Sequence, residues 1–181
     1  MATTIKSNFQ KKTQSKYSYL FLILLFLPLV SGNFITLKFK GTGEEKLFIN
    51  PKVERDCPDK VYVDGRLLPY KTCKYEFPKK MVTIKLNWDK EISNFYRLFA
   101  DISNIIEIDF SQYDTSLIQN MAHLFENCES LVFANLSNID ISSVINAEYM
   151  FSNCISLKAL DLVNVNLEKI PNHKNIFFNY I

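Results

Sequence analysis

Apolar positions in the second half of the chain recur with a period of 26 residues, marked by Phe99, Phe125, Phe151 and Phe177. Leu124, Met150 and Ile176 precede the phenylalanine. Ile102, Cys128 and Cys154 follow it at three residues, and Ile105, Leu131 and Leu157 at six. Each period has two halves. Ile105, Ile108 and Phe110, then Leu131, Ala134 and Leu136, then Leu157, Leu160 and Leu162 read as strands with one buried face. In the return half, Ile118, Met121, Leu124 and Phe125 fall at i, i+3, i+6 and i+7. Val144, Ala147, Met150 and Phe151 repeat that spacing, which predicts one face of a short helix. Asp114-Thr115-Ser116 and Asp140-Ile141-Ser142 place side-chain oxygens just ahead of it, where a helix N-cap wants them. The third period decays. Asn166-Leu167-Glu168 replaces the cap, Pro171 enters the helical stretch and His173 takes the column of Met121.

Residues 33–94 do not repeat. Ile35, Leu37 and Phe39 alternate ahead of Gly41-Thr42-Gly43, and Leu47-Phe48-Ile49 follows, which reads as a hairpin. Val61-Tyr62-Val63 and Arg66-Leu67-Leu68 flank Asp64-Gly65, a type I′ turn signal. Met81 to Trp88 alternates as a further strand.

A fixed period of this size carrying L-x-x-L-x-L is the signature of a leucine-rich-repeat solenoid. The fold expected is therefore α/β: a short solenoid with a strand plus a short helix per coil, behind a β-rich N-terminal cap. The division expected is a signal peptide over 1–32, the cap over 33–94 and about three repeats over 95–181, the last incomplete. Solenoids display a surface, so the period argues for binding.

Charge is local. The first 32 residues hold four lysines and no acidic residue, leaving 17 of the 21 basic residues against 19 acidic ones. A remainder so near neutrality lacks the basic excess of a nucleic-acid binder. Leu20 to Val30 is an apolar run of 11 residues behind that basic leader, with small residues following. It reads as a secretory signal cleaved before Asn33. The alternative, an uncleaved anchor, needs about 20 apolar residues. A secreted or cell-surface location follows, with no membrane span after cleavage.

Four cysteines suit an oxidising compartment. Cys57 and Cys73, 16 residues apart in a proline-containing region, are the candidate disulfide. Cys128 and Cys154 share one column of successive repeats, as stacked buried thiols or as a second bridge. Neither pair has the spacing of a zinc site.

The repeats resemble the BspA-like leucine-rich repeats of surface proteins. The unit stands here as IIEIDFSQYDTSLIQNMAHLFENC (Ile105–Cys128), then LVFANLSNIDISSVINAEYMFSNC (Leu131–Cys154), then a partial SLKALDLVNVN (Ser156–Asn166). Ordinary leucine-rich repeats carry an Asn ladder in a column filled here by Tyr113, Ile139 and Val165. The resemblance implies a surface or secreted protein used in adhesion or protein contact, with no shared catalytic residue.

The outward strand positions are the candidate binding face: Glu107, Asp109 and Ser111; Phe133, Asn135 and Ser137; Ala159, Asp161 and Val163. Phe133 is the aromatic anchor of that ribbon. Asn135-Leu136-Ser137 is a glycosylation sequon, making Asn135 a candidate glycan site. His123 and His173, the two histidines, show no nucleophile partner, and no Gly-rich phosphate loop is present. The reading is a non-enzymatic module without cofactor or metal that binds a protein or a glycan, and no nucleic acid, through its strand face. The alternative is the N-terminal part of a longer membrane-anchored receptor or structural surface protein.

Overall fold

Alternation in the first half of the chain builds the centre of a sheet. The computed structural model describes residues 33–47, 57–163 and 165–179; the predicted signal segment lies outside them. Strand β1 (Phe34–Lys40) buries Ile35, Leu37 and Phe39 completely and turns Thr36 and Lys38 outward. Strand β6 (Met81–Asn87) buries Val82, Ile84 and Leu86 in the same way. The two pair antiparallel, and the other edge of β1 pairs antiparallel with β7 (Ile105–Gln112). Beyond β6 lie β3 (Lys60–Val63) and β4 (Arg66–Leu67). Beyond β7 lie β8 (Phe133–Asn135) and β9 (Ala159–Asp161), both parallel to it. The result is one mixed sheet of seven strands in the order β4-β3-β6-β1-β7-β8-β9.

The Asp64-Gly65 turn joins β3 to β4, with both residues at positive φ (48° and 82°), as a type I′ turn requires. The other predicted hairpin does not form. β1 leaves its sequence neighbour for β6 and β7, while β2 (Glu45–Leu47) pairs with β5 (Lys74–Glu76) in a separate two-stranded sheet. Gly41 permits the crossing between them, since a Cβ there would stand 1.6 Å from the Pro78 carbonyl oxygen. Cys57 and Cys73 are disulfide-bonded, with Cα atoms 5.1 Å apart.

The return halves overturn the expected leucine-rich-repeat solenoid of strand plus short helix. No α-helix is present among the described residues; a single 3₁₀ turn spans Leu167–Lys169. Each return half is instead a run of turns. Residues in the left-handed region recur in pairs four apart: Arg97 and Asp101, His123 and Asn127, Tyr149 and Asn153, Asn175 and Asn179. Such residues end a right-handed helix. Between them, N–H groups bond alternately. Phe95, Arg97, Phe99 and Asp101 donate across to the carbonyls of Asn120, Ala122, Leu124 and Glu126 in the next coil, at 2.7–3.1 Å. Leu98 and Ala100 donate back to Phe95 and Arg97 in their own coil. Met121 to Asn127 repeats the cross-coil pattern onto Asn146, Glu148, Met150 and Ser152, and Ala147 to Asn153 repeats it again.

The predicted core columns are nevertheless inside. Ile118, Met121, Leu124 and Phe125 are buried, as are Val144, Ala147, Met150 and Phe151. The phenylalanines of the period stack face to face: Phe99 on Phe125 at 5.9 Å, Phe125 on Phe151 at 5.1 Å and Phe151 on Phe177 at 5.7 Å. The presumed helix caps are turns. Asp114 accepts the N–H of Ser116 and Asp140 that of Ser142, so each side chain closes its own loop. His173 is exposed rather than in the core, with Nδ1 at 2.6 Å from the Ile170 carbonyl oxygen.

Candidate functional site

The pairing of β1, β7, β8 and β9 places the candidate residues in rows across the outer face of the sheet. Lys38, Glu107, Phe133 and Ala159 stand side by side in one row. Thr36, Asp109, Asn135 and Asp161 form the next. Thr36 and Lys38 were not among the residues singled out from the repeats. Their signal is the polar half of the alternation in β1, which has meaning for the site only once β1 is known to lie against β7.

Lys38 Nζ lies 3.1 Å from Glu107 Oε1, with both side chains 30% exposed. An ion pair so open to solvent contributes up to about 1 kcal/mol, but it fixes the two side chains relative to one another. In the second row the polar groups bond along the stack. Asp109 Oδ1 accepts the N–H of Ser111 at 2.8 Å and Asn135 Nδ2 at 3.0 Å. Asn135 Oδ1 accepts the N–H and the hydroxyl of Ser137, and Asp161 Oδ1 accepts the N–H of Val163.

Two predicted outward residues are not outward. Asn135 is 6% exposed, and the amide nitrogen that would carry a glycan is the one that donates to Asp109. Ala159 is 1% exposed, because its methyl lies in register beside the much larger Phe133. Glu107, Asp109, Ser111, Phe133, Ser137 and Asp161 are half-buried, and Val163 is exposed.

The return wall carries a second polar constellation that the spacing did not reveal. Asn127 donates to Asp101, Asn153 to Asn127 and Asn179 to Asn153, with Nδ2 to Oδ1 distances of 2.7, 2.8 and 3.0 Å. This is an asparagine ladder, in a different column from the one that lacks it. Beside it, Arg97 donates through Nη1 to Glu126 and through Nη2 to Asp101. Burial disfavours the Arg97 charge, but Glu126 and Asp101 outweigh it and hold the guanidinium pKa above its ordinary value. His123 stacks on Tyr149 at 5.2 Å, meets Tyr96 edge-on at 5.6 Å and places Nδ1 3.3 Å from Glu126 Oε1, without the alignment of a hydrogen bond.

Cys128 and Cys154 are free, buried thiols, donating to the Phe99 and Phe125 carbonyl oxygens at 3.1 Å each. Burial pushes the Cys128 thiol well above its ordinary pKa and the Cys154 thiol to about 12. Both are inert packing groups rather than nucleophiles. Among the described residues, no group of three or more His, Cys, Asp or Glu converges as metal ligands. Nor, among them, is any helix long and apolar enough to cross a membrane.

Residues 80–180 match the model of a family described as "Mycoplasma protein of unknown function, DUF285". No curated protein and no solved structure matches the chain.

Proposed function

The chain belongs to the DUF285 family, whose description assigns no activity, and for this member we propose a non-enzymatic role: binding a protein or glycan through the outer face of the sheet, on a secreted or cell-surface protein. The observation that carries this reading is the row Lys38–Glu107–Phe133, which sets a fixed ion pair beside a large apolar side chain. Interfaces gain most from aromatic anchors ringed by positioned polar groups. The backbone beneath is held by pairing on both edges of β1, β7 and β8, so little order is lost on binding. The secreted setting rests on the leader of residues 1–32, which lies outside the described residues, and on the motif resemblance to BspA-like surface proteins.

The test is a screen of the purified chain against arrayed extracellular proteins and arrayed glycans, with Glu107→Lys and Phe133→Ala run alongside. The expected result is a ligand that wild type holds and both variants lose by tenfold or more, a loss of about 1.4 kcal/mol, with unchanged thermal unfolding. A ligand held equally by all three proteins would place the binding face elsewhere.

A further inference from the structure

The stack of coils has two unlike ends. At its beginning, β7 is covered by β1, so the first coil accepts no further strand. At the other end β9 is an edge strand. The return wall stops there too. Ala147, Tyr149 and Asn153 donate their N–H groups across to Asn172, Lys174 and Phe178. Residues 26 positions later repeat the backbone: Asn175 and Asn179 hold φ of 53° and 54°, as Tyr149 and Asn153 hold 56° and 58°. Their amides, with that of His173, therefore aim out of the end of the stack, where no acceptor stands among the described residues. Asn179 donates its Nδ2 to Asn153 and leaves its Oδ1 facing the same way. Ile155, Val163 and Phe178 are 56%, 55% and 48% exposed around this end.

The geometry points to a docking site for one coil of another protein with the same 26-residue period. A strand would add to β9, as extended segments add to open sheet edges, and the following turns would present main-chain carbonyls to His173, Asn175 and Asn179. An asparagine in the ladder column would donate to Asn179 Oδ1. The hydrogen-bond polarity selects against a second copy of this chain. Head to tail, the copy would bring its own β1 into the space of the incoming strand, and its ladder begins with Asp101, which only accepts. Tail to tail, the two rows of N–H donors would face one another. An open edge left uncovered is also an aggregation liability, which a dedicated partner removes.

The probe is a 26-residue synthetic peptide copying residues 131–156, which carries the carbonyls of Asn146, Glu148 and Ser152 and the Asn153 amide. It is titrated into the full chain with the disulfide intact, and backbone amide resonances are followed. The expected result is saturable movement of the His173, Asn175 and Asn179 amides together with those of β9. A peptide with Asn153→Asp should bind about tenfold more weakly, the loss of one such hydrogen bond. Unmoved amides at about 1 mM peptide, the weakest affinity worth calling a site, would overturn the proposal. So would movement confined to the outer sheet face, or the same amides shifting with protein concentration alone, which would identify a second copy as the occupant.

Discussion

The sheet wall and the return wall obey one period and satisfy it with different backbones. In the sheet, alternate side chains point in and out, and polar residues such as Thr36, Lys38 and Glu107 reach the surface every second position. In the return wall, pairs of left-handed residues reverse the chain every few positions and aim alternate N–H groups at the next coil. Both walls pair their backbones across the stack, yet one rests on alternation and the other on residues that tolerate positive φ. Changes in the two walls should therefore fail by different mechanisms.

The largest effect is expected where the walls meet. Phe125→Ala removes a ring stacked between Phe99 and Phe151 and touching Phe110 edge-on. It should cost about 3–5 kcal/mol in denaturant unfolding; equal stability would mean the ring stack does not carry the core. Reducing the Cys57–Cys73 bridge should cost about 3 kcal/mol in the chain-entropy model. Under native, oxidising conditions Cys128 and Cys154 should react with a thiol reagent only at the rate of global opening, and faster labelling would contradict their burial.

Asn127 separates backbone from side chain in the return wall. Asn127→Val places a β-branched residue at φ 60° and removes a ladder rung, for an expected cost of about 2–3 kcal/mol. Asn127→Gly loses only the rung and should cost about 1 kcal/mol. Equal values for the two would show that the ladder, not the left-handed backbone, sets the wall. The smallest effect is electrostatic and belongs to the turns. Asp59, Asp114 and Asp140 have pKa values lowered first by hydrogen bonds from the backbone N–H groups of Asp89, Ser116 and Ser142. A lowered folded pKa gives stability that is complete above the unfolded value of about 3.9 and is lost as pH falls through the folded one. Stability should thus be flat from neutral pH to about 5 and decline below about 4, and Asp114→Asn should flatten that decline.

The inward columns were legible because burial depends on spacing alone. Phe99, Phe125 and Phe151, with Ile108 and Ala134, sit where the period puts them. The helix was not, because Ile118, Met121, Leu124 and Phe125 fit a turn run as well as a helix. The discriminating signal was present in the polar residues. Asp101, His123, Asn127, Asn153, Asn175 and Asn179 are of the types most tolerant of left-handed backbone. The partnership of β1 with β7 had no local sign, since it joins Thr36 to Asp109 across the whole of the intervening chain. That is why half of the outer row, Thr36 and Lys38, escaped a reading based on repeats.

The position of β1 also orders events on the ribosome. It is the first described strand to be synthesised, yet it lies between β6 and β7, and its last partner, β7, emerges only when residue 112 has been made. Until then Ile35, Leu37 and Phe39 stay exposed, on a strand with at least one edge unpaired. Non-local pairing of this kind slows folding. A nascent chain stalled between β6 and β7 should accordingly bind holdase chaperones, and one stalled after the β7 segment has left the exit tunnel should release them.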